Sequence, residues 1–380
     1  MNTGIEGNPF FGDRTGVGQY AKRLIESAIK LPSKNKYEVI RLTMPFKKLP
    51  TMPINVSDNF RYRIVRWMPP FVYYQLFKRL PWVPAYDRVA LRKYDVLLFF
   101  NFVAFPVSNN TKYIPVLYDI SYILHPAFSS PKNREYLEKF VPKTINKAAH
   151  IITISENSKN EIVEYYKIIP SKITIISPAV NHKEYYPKPK AEIEKVRTKY
   201  MISKTYILSV CTLEPRKNLL GVLNAFANLP EHIKTAYSLV LVGGKGWLDG
   251  ELESKYNELS KKYSIIKTGY VDDDDLPALY SGAELFVYPS FYERFGMPPL
   301  EAMACGVPVI TSNNSSLPEV VGDAGIMIDA NDTRALTENI VRVLMNPVLQ
   351  QSMQKKGLAQ SKKFTWEKSA KKLNEIIESI

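Results

Sequence analysis

Two cysteines in 380 residues, Cys211 and Cys305, are too few for a disulfide framework or a cluster of metal-binding thiolates, and they suit a reducing compartment. Only four histidines occur (His125, His150, His182 and His232), scattered without ligand spacing. A histidine-built metal site has no support from that pattern, and chain order yields no Ser-His-Asp constellation. No apolar run reaches about 18 residues, so no spanning helix is expected, and no charged-then-apolar leader opens at Met1. Fixed-period repeats and low-complexity tracts are missing as well, which excludes solenoids and fibrous arrays. The expectation is a cytoplasmic protein, in solution or peripheral at the inner face of the membrane.

What is present is ordinary globular composition, with 45% hydrophobic and 23% charged residues, so disorder is excluded. A single core rarely grows past about 250–300 residues, so this length predicts two domains. The charge is unevenly placed. Residues 1–190 hold 29 Lys and Arg against 14 Asp and Glu, whereas residues 191–380 hold 22 against 23. An excess confined to the first half points that half towards an anionic partner: membrane surface, acidic substrate or nucleic acid.

Short β-branched and aromatic runs alternate with amphipathic stretches. The runs are Tyr37–Thr43, Val96–Phe100, Tyr113–Leu117, His150–Ile154 and Lys172–Ile176, then Tyr206–Val210, Ser238–Gly243, Ile265–Val271, Leu285–Pro289, Pro308–Ser312 and Gly325–Ile328. Helical patterns such as Gly16–Lys30, Asn218–Ala227 and Leu276–Ala283 lie between them. Strand-helix alternation predicts an α/β protein with parallel sheets covered on both faces. Two such series read as two doubly wound domains, residues 1–183 and 184–364, with the ligand in the cleft between them. The break is expected near Asn181–Lys190 (NHKEYYPKPK), and Thr365–Ile380 is an amphipathic helix. Between Met44 and Tyr94 the pattern fails: Trp67, Phe71, Tyr73, Tyr74, Phe77 and Trp82 interleave with prolines and cations. That composition fits an anionic bilayer surface and, equally, a core with a solvated basic face.

The chemistry concentrates in FYERFGMPPLEAMACGVPVI, Phe291–Ile310. Pro298 suits the first position of a helix and Gly306 the residue just past its end. Gly296 allows close approach to the backbone, and the amides of Phe295–Met297 at the helix N-terminus make an anion site suited to phosphate. Glu293 before the helix and Glu301 one turn inside it flank that cradle, one for sugar hydroxyls and one for ribose hydroxyls. A solvated loop glutamate and a helix-capping one would satisfy the same spacing. In CTLEPRKNL, Cys211–Leu219, Arg216 and Lys217 stand at a strand's carboxyl end, where a forked donor and a mobile point charge can hold a leaving diphosphate. Gly16 and Gly18 precede a helix in GDRTGVGQYAKRL, and Asp119 follows a strand in LYDIS, placed to accept a hydrogen bond from an acceptor hydroxyl. The run Asp272–Asp275 reads as an acid-enriched helix N-terminus rather than a metal site, and Cys305 as core.

Together these segments resemble the retaining glycosyltransferases of family four, which have the two-Rossmann GT-B fold. The resemblance rests on Glu293–Glu301 with Phe295-Gly296 between, on Arg216-Lys217, and on GVPVITSNNSSLPEVVGDAGI and FTW, Phe364–Trp366. It implies that residues 365–380 cross back to the first domain. It implies a nucleoside diphosphate sugar in the second domain, with Arg216 and Lys217 on the diphosphate and Glu301 on the ribose. Glu293 and the Phe295–Met297 amides would address the transferred sugar and β-phosphate, and residues near Gly269–Val271 the base. The first domain would bind the acceptor, with Gly16 and Gly18 near the diphosphate. Neither metal nor cofactor is implied, because basic side chains and the helix terminus stabilise the leaving group.

One departure stands out: many members carry a histidine before the strand-end aspartate, where this chain has Tyr118 before Asp119. The segments PRKN and SSLPE further resemble bacterial mannosyltransferases of polysaccharide assembly, which implies GDP-mannose and a glycan or lipid-linked acceptor. The competing readings are a non-catalytic nucleotide-sugar-binding or nucleic-acid-binding protein, and an epimerase or phosphorylase on the same fold. No recognised nucleic-acid motif occurs, and the phosphate-site features lie in the neutral half, so no nucleic-acid partner is expected.

Overall fold

The computed structural model describes residues 1–11, 16–48, 51, 53–80, 82–244 and 250–380. Gly12–Thr15 of the expected phosphate-approach loop lie outside these. The chain divides into two compact units: Met1–Pro178 with Trp366–Ile380, and Ala179–Thr365.

In the first unit, β1 (Asn2–Glu6), β2 (Lys36–Leu42), β3 (Phe60–Val65), β4 (Val96–Phe99) and β5 (Lys112–Pro115) form a parallel sheet in the order β3-β2-β1-β4-β5. β6 (Ile151–Thr153) and β7 (Ile173–Ile175) pair in parallel, and a bridge from Val116 to Ile152 joins them to β5. The short β1 is central, and four of its five residues are buried. β3 was not expected, because its residues belong to the irregular aromatic stretch. As an edge strand it exposes Arg61, and the Arg63 guanidinium pairs with Glu38 at 2.8 Å, charges that blunt an open sheet edge. The last helix, Trp366–Ser379, belongs to this unit. It packs on the helix Gly16–Ala28, where Trp366 meets Tyr20 at 6.0 Å between ring centroids, and Ser369 donates to the Ser177 carbonyl at 2.6 Å.

The aromatic stretch is part core and part surface. Tyr73 and Tyr86 are buried, whereas Phe71, Trp82, Trp67 and Phe46 are largely exposed. On the helix Pro70–Arg79, Phe71 faces solvent and Tyr73 the core.

The second unit holds β8 (Tyr206–Val210), β9 (Ser238–Val242), β10 (Ile265–Gly269), β11 (Leu285–Tyr288), β12 (Val309–Ser312) and β13 (Ile326–Ile328), all parallel, in the order β10-β9-β8-β11-β12-β13. β9, β11 and β12 are buried throughout, which is why they read as unbroken apolar runs rather than alternating ones. Strand order reverses between β8 and β11, and the carboxyl ends flanking such a reversal are where open α/β sheets place ligands.

Candidate active site

The loops leaving β8 and β11 meet at that reversal. After β8 a short turn, Pro215–Lys217, carries both cations. Asn218 follows with φ 54°, a left-handed conformation that asparagine tolerates. Its carboxamide oxygen caps the helix Leu219–Ala227 by accepting from the Gly221 amide at 3.2 Å. Its amide donates to the carbonyls of Pro289 at 3.0 Å and Ala330 at 2.7 Å, so one side chain ties three segments together. The Phe291 amide donates to the Arg216 carbonyl at 2.9 Å, stitching the two loops directly.

Glu293 is the hub. Lys217 Nζ donates to its Oε1 at 2.6 Å and to the Tyr288 hydroxyl at 2.7 Å, and Arg216 lies 3.2 Å from Oε2. Ser290 and Tyr288 also donate to Oε1, at 2.7 and 2.9 Å. Arg216 is held from behind by Glu214 at 2.6 Å and by the Tyr292 carbonyl at 2.7 Å. Burial pushes the Glu293 carboxyl up, but the charges of Lys217 and Arg216 and the bonds from Lys217 and Ser290 outweigh it and hold the group down at about 2. Burial opposes the charged guanidinium of Arg216, yet Glu293 and Glu214 keep it protonated with a raised pKa. Two cations are thus aimed and fixed before any ligand arrives.

A hydroxyl shell supports the hub. Ser315 Oγ accepts from the Glu293 amide at 2.9 Å, and Ser316 Oγ donates to the carbonyls of Glu293 and Phe295 at 2.9 and 2.8 Å. Ser315 has φ 49°, and strained backbone of that kind gathers at functional sites. Sequence reasoning missed Glu214, Asn218, Tyr288, Ser290, Ser315 and Ser316 as parts of one cluster. The available signal was the polar run Ser312–Ser316, which starts on the last residue of β12, at a third carboxyl end of the same sheet.

The neighbouring helix runs from Met297 to Ala304, so Met297 rather than Pro298 takes the first position, and Gly306 stands two residues past its end with φ 76°. Gly296 caps it with φ 110°, and a Cβ there would sit 2.8 Å from Leu317 Cδ2. Pro298 and Pro299 lack backbone N–H groups, so this terminus offers an anion the amides of Gly296 and Met297 and little more. The Phe295 side chain is buried edge-on against Phe364 at 5.5 Å. Glu301 accepts from the Tyr280 hydroxyl at 2.9 Å. Burial pushes its carboxyl up to about 7, the Tyr280 bond opposing and Asp273 adding to the rise.

The remaining expected residues fall elsewhere. Val271 follows the edge strand β10 with its side chain in the core, which leaves only its backbone for a base. Lys199 bridges Asp272 and Asp275 at 2.9 and 2.5 Å, and Asp275 makes no capping bond to the helix it precedes. Gly16, Gly18 and Asp119 stand in the first unit. Gly16 opens its helix with nothing within 4 Å of where a Cβ would be, and Asp119 is 1% exposed just past β5. Burial pushes both thiols, Cys211 and Cys305, up to about 12, as befits core residues.

Two Rossmann-like parallel units, one with a buried Arg-Lys-Glu hub at its switch point, define a GT-B glycosyltransferase. Residues 15–184 match the family described as Glycosyltransferase Family 4, and residues 192–360 that described as Glycosyl transferases group 1. The chain belongs to glycosyltransferase family four. O-antigen chain mannosyltransferase B of Escherichia coli is 41% identical over 256 residues, 67% of this chain and 67% of that protein. The Serotype-specific mannosyltransferase WbdA of Escherichia coli is 34% identical over 264 residues, 68% of this chain but 31% of its own length. Among solved structures, sucrose-phosphate synthase from Thermosynechococcus elongatus superposes with a TM-score of 0.75 at 21% identity, covering 100% of this chain and 98% of that one. WaaG, a glycosyltransferase involved in lipopolysaccharide biosynthesis, gives 0.74 at 16% identity over 99% of both chains, a likeness of fold.

Proposed function

We propose that the protein transfers a sugar, with retention of anomeric configuration, from a nucleoside diphosphate sugar to a hydroxyl of a glycan or lipid-linked glycan in cell-surface polysaccharide synthesis. The observation that carries this reading is the hub: two pre-aimed cations on one ionised carboxylate at the carboxyl ends of β8 and β11. Arg216 and Lys217 take the diphosphate and neutralise it as it leaves. Glu293 keeps those cations in place and faces the transferred sugar. The Gly296 and Met297 amides meet the β-phosphate, Glu301 the ribose, and the Val271 backbone the base. In the first unit Asp119 orients the acceptor, and Gly16 lets the backbone approach the donor closely. This chemistry needs no metal. Mannose from GDP-mannose is the preferred donor, in line with the mannosyltransferase names of the relatives.

Among the described residues no helix is long and apolar enough to cross a membrane. We place the enzyme in the cytoplasm, with the basic first unit touching an anionic membrane surface where a lipid-linked acceptor resides. The decisive test offers a panel of nucleotide sugars with and without glycan acceptors and follows nucleoside diphosphate release and product anomer. GDP release from GDP-mannose that rises with acceptor is expected. Binding without turnover under every acceptor would leave a binding module.

Glu301 gives the donor site a pH signature. Hydrogen bonds donated by ribose hydroxyls favour the ionised carboxylate, so binding releases the proton that this carboxyl holds below about 7. GDP-mannose affinity is expected to rise on the order of tenfold per pH unit below that value and to level off above it. Its diphosphate has no titration of its own in that range. Calorimetric affinities between pH 5.5 and 8 check this, and Glu301→Gln should flatten the profile. A flat profile in the unaltered protein would take Glu301 off the ribose.

A further inference from the structure

A cavity of about 290 Å³ opens in the second unit where the Pro215–Lys217 turn, the helix Leu219–Ala227 and the start of the helix Thr333–Leu344 meet. Its described lining includes none of the residues assigned above to the donor. Leu219, Leu220 and Leu252 form an apolar wall. Beside them stands Phe291, 37% exposed although its amide is tied to the Arg216 carbonyl. Three polar side chains of the lining hold hydrogen-bonding capacity in reserve. The half-buried Asn224 carboxamide and Thr333 hydroxyl make no hydrogen bond among the described residues. Glu214 engages only its Oε1, on Arg216 at 2.6 Å. Among the described residues the lining holds no cation.

These features select among occupants. An anion would face the Glu214 carboxylate with no lining cation to offset it. Nor do the two helix starts invite one, since Asn218 already caps the Gly221 amide at 3.2 Å and Asp332 the Ala335 amide at 2.8 Å. A cation would have to share Glu214 with Arg216, whose guanidinium repels it. An apolar ligand would bury the Asn224 and Thr333 side chains unbonded. A neutral ring with an apolar face and a rim of hydroxyls satisfies every wall. Its face lies on Phe291 and the leucines, and its hydroxyls donate to Glu214 Oε2 and exchange bonds with Asn224 and Thr333. The volume stands at the low end of small-ligand sites, about 300 Å³, which suits a single ring. We propose that this cavity binds one neutral hexose unit of a glycan chain, as a holding site separate from the donor cradle. The proposal goes beyond sugar transfer and rests on that reading only for the identity of the sugar, mannose.

The test uses the full chain with carbon-13-labelled leucine methyl groups, titrated with α-linked mannotriose and followed by NMR. Saturable shifts are expected at the methyls of Leu219, Leu220 and Leu252. Mannuronate, the mannose ring carrying a carboxylate, is expected to bind at least about tenfold more weakly than mannose. Two substitutions locate the site. Asn331→Trp fills the mouth from an exposed position, and Asn224→Ala removes the reserve carboxamide from a helix that alanine favours. The first is expected to abolish the shifts, and the second to weaken binding about three- to tenfold. Shifts that do not saturate, or that persist unchanged in both variants, overturn the cavity assignment. Mannuronate binding as tightly as mannose overturns the choice of a neutral ligand. Release of nucleoside diphosphate from a nucleotide sugar without shifts at these leucines removes the cavity while the transfer reading stands. Shifts at these leucines without such release support the cavity and remove the transfer reading instead.

Discussion

Lys217→Ala is expected to slow sugar transfer by about 10²–10³-fold, the loss seen when one pre-aimed donor to a developing negative charge is removed. The size follows from where the ammonium sits. Lys217 is 8% exposed and its Nζ is fixed between Glu293 and the Tyr288 hydroxyl at 2.6 and 2.7 Å. A cation in so dry a position interacts with a departing diphosphate several-fold more strongly than one in water, and it needs no reorientation when the glycosidic bond breaks.

The fold should survive the change. Glu293 keeps Arg216 at 3.2 Å, Ser290 at 2.7 Å and Tyr288 at 2.9 Å, so its charge is not left alone. The stability loss should be about 1–3 kcal/mol, below the 3–5 kcal/mol of orphaning a buried charge. Lys217→Arg should not restore the rate, because a planar fork does not fit the single point between Tyr288 and Glu293. Nucleoside diphosphate release in the steady state, beside a thermal melt, separates the two effects. Turnover at the unaltered rate in Lys217→Ala would remove the hub from the reaction.

Much of this hub was legible before any coordinates. Arg216, Lys217 and Glu293 stand just beyond apolar runs, and in a doubly wound sheet the residues after alternate strands converge at one end. The sheets were legible for the same reason, since β9, β11 and β12 are buried on both faces and cannot read as anything but apolar runs. What stayed hidden depends on contacts between loops. Tyr288, Ser290, Ser315 and Ser316 acquire their roles only when the segments after β8, β11 and β12 close on one carboxylate. β3 was hidden because its outward arginines break the apolar pattern, and the aromatic stretch because tyrosine and tryptophan serve core and surface alike. The prolines at 298 and 299 were visible, but what they subtract from the anion site follows only once the helix is seen to start at Met297.

Glu293→Gln is the sharper test, because it divides binding from turnover. Glutamine preserves shape and one acceptor oxygen but leaves Arg216 and Lys217 without their shared counter-charge. At neutral pH the variant should be less stable, and the difference should vanish in acid. The folded carboxyl titrates at about 2 against an ordinary 4.5, so its contribution is fully present above 4.5 and is lost as pH falls towards 2. Those values correspond to about 3 kcal/mol, undiminished by solvent screening because Glu293 is only 6% exposed. Acid melts of the two proteins should therefore converge.

A nucleoside diphosphate supplies the missing negative charge, so GDP should raise the melting temperature of Glu293→Gln more than that of the unaltered protein. Turnover should nonetheless fall about 10²–10³-fold if the carboxylate faces the transferred sugar and aims both cations during transfer. Tighter nucleotide with slower transfer is a combination that a merely structural glutamate would not produce, since loosening the fold would weaken both. Unchanged turnover together with a retained acid limb would mean that the two cations answer to some other carboxylate, and Glu214, already bonded to Arg216, would be the next to replace.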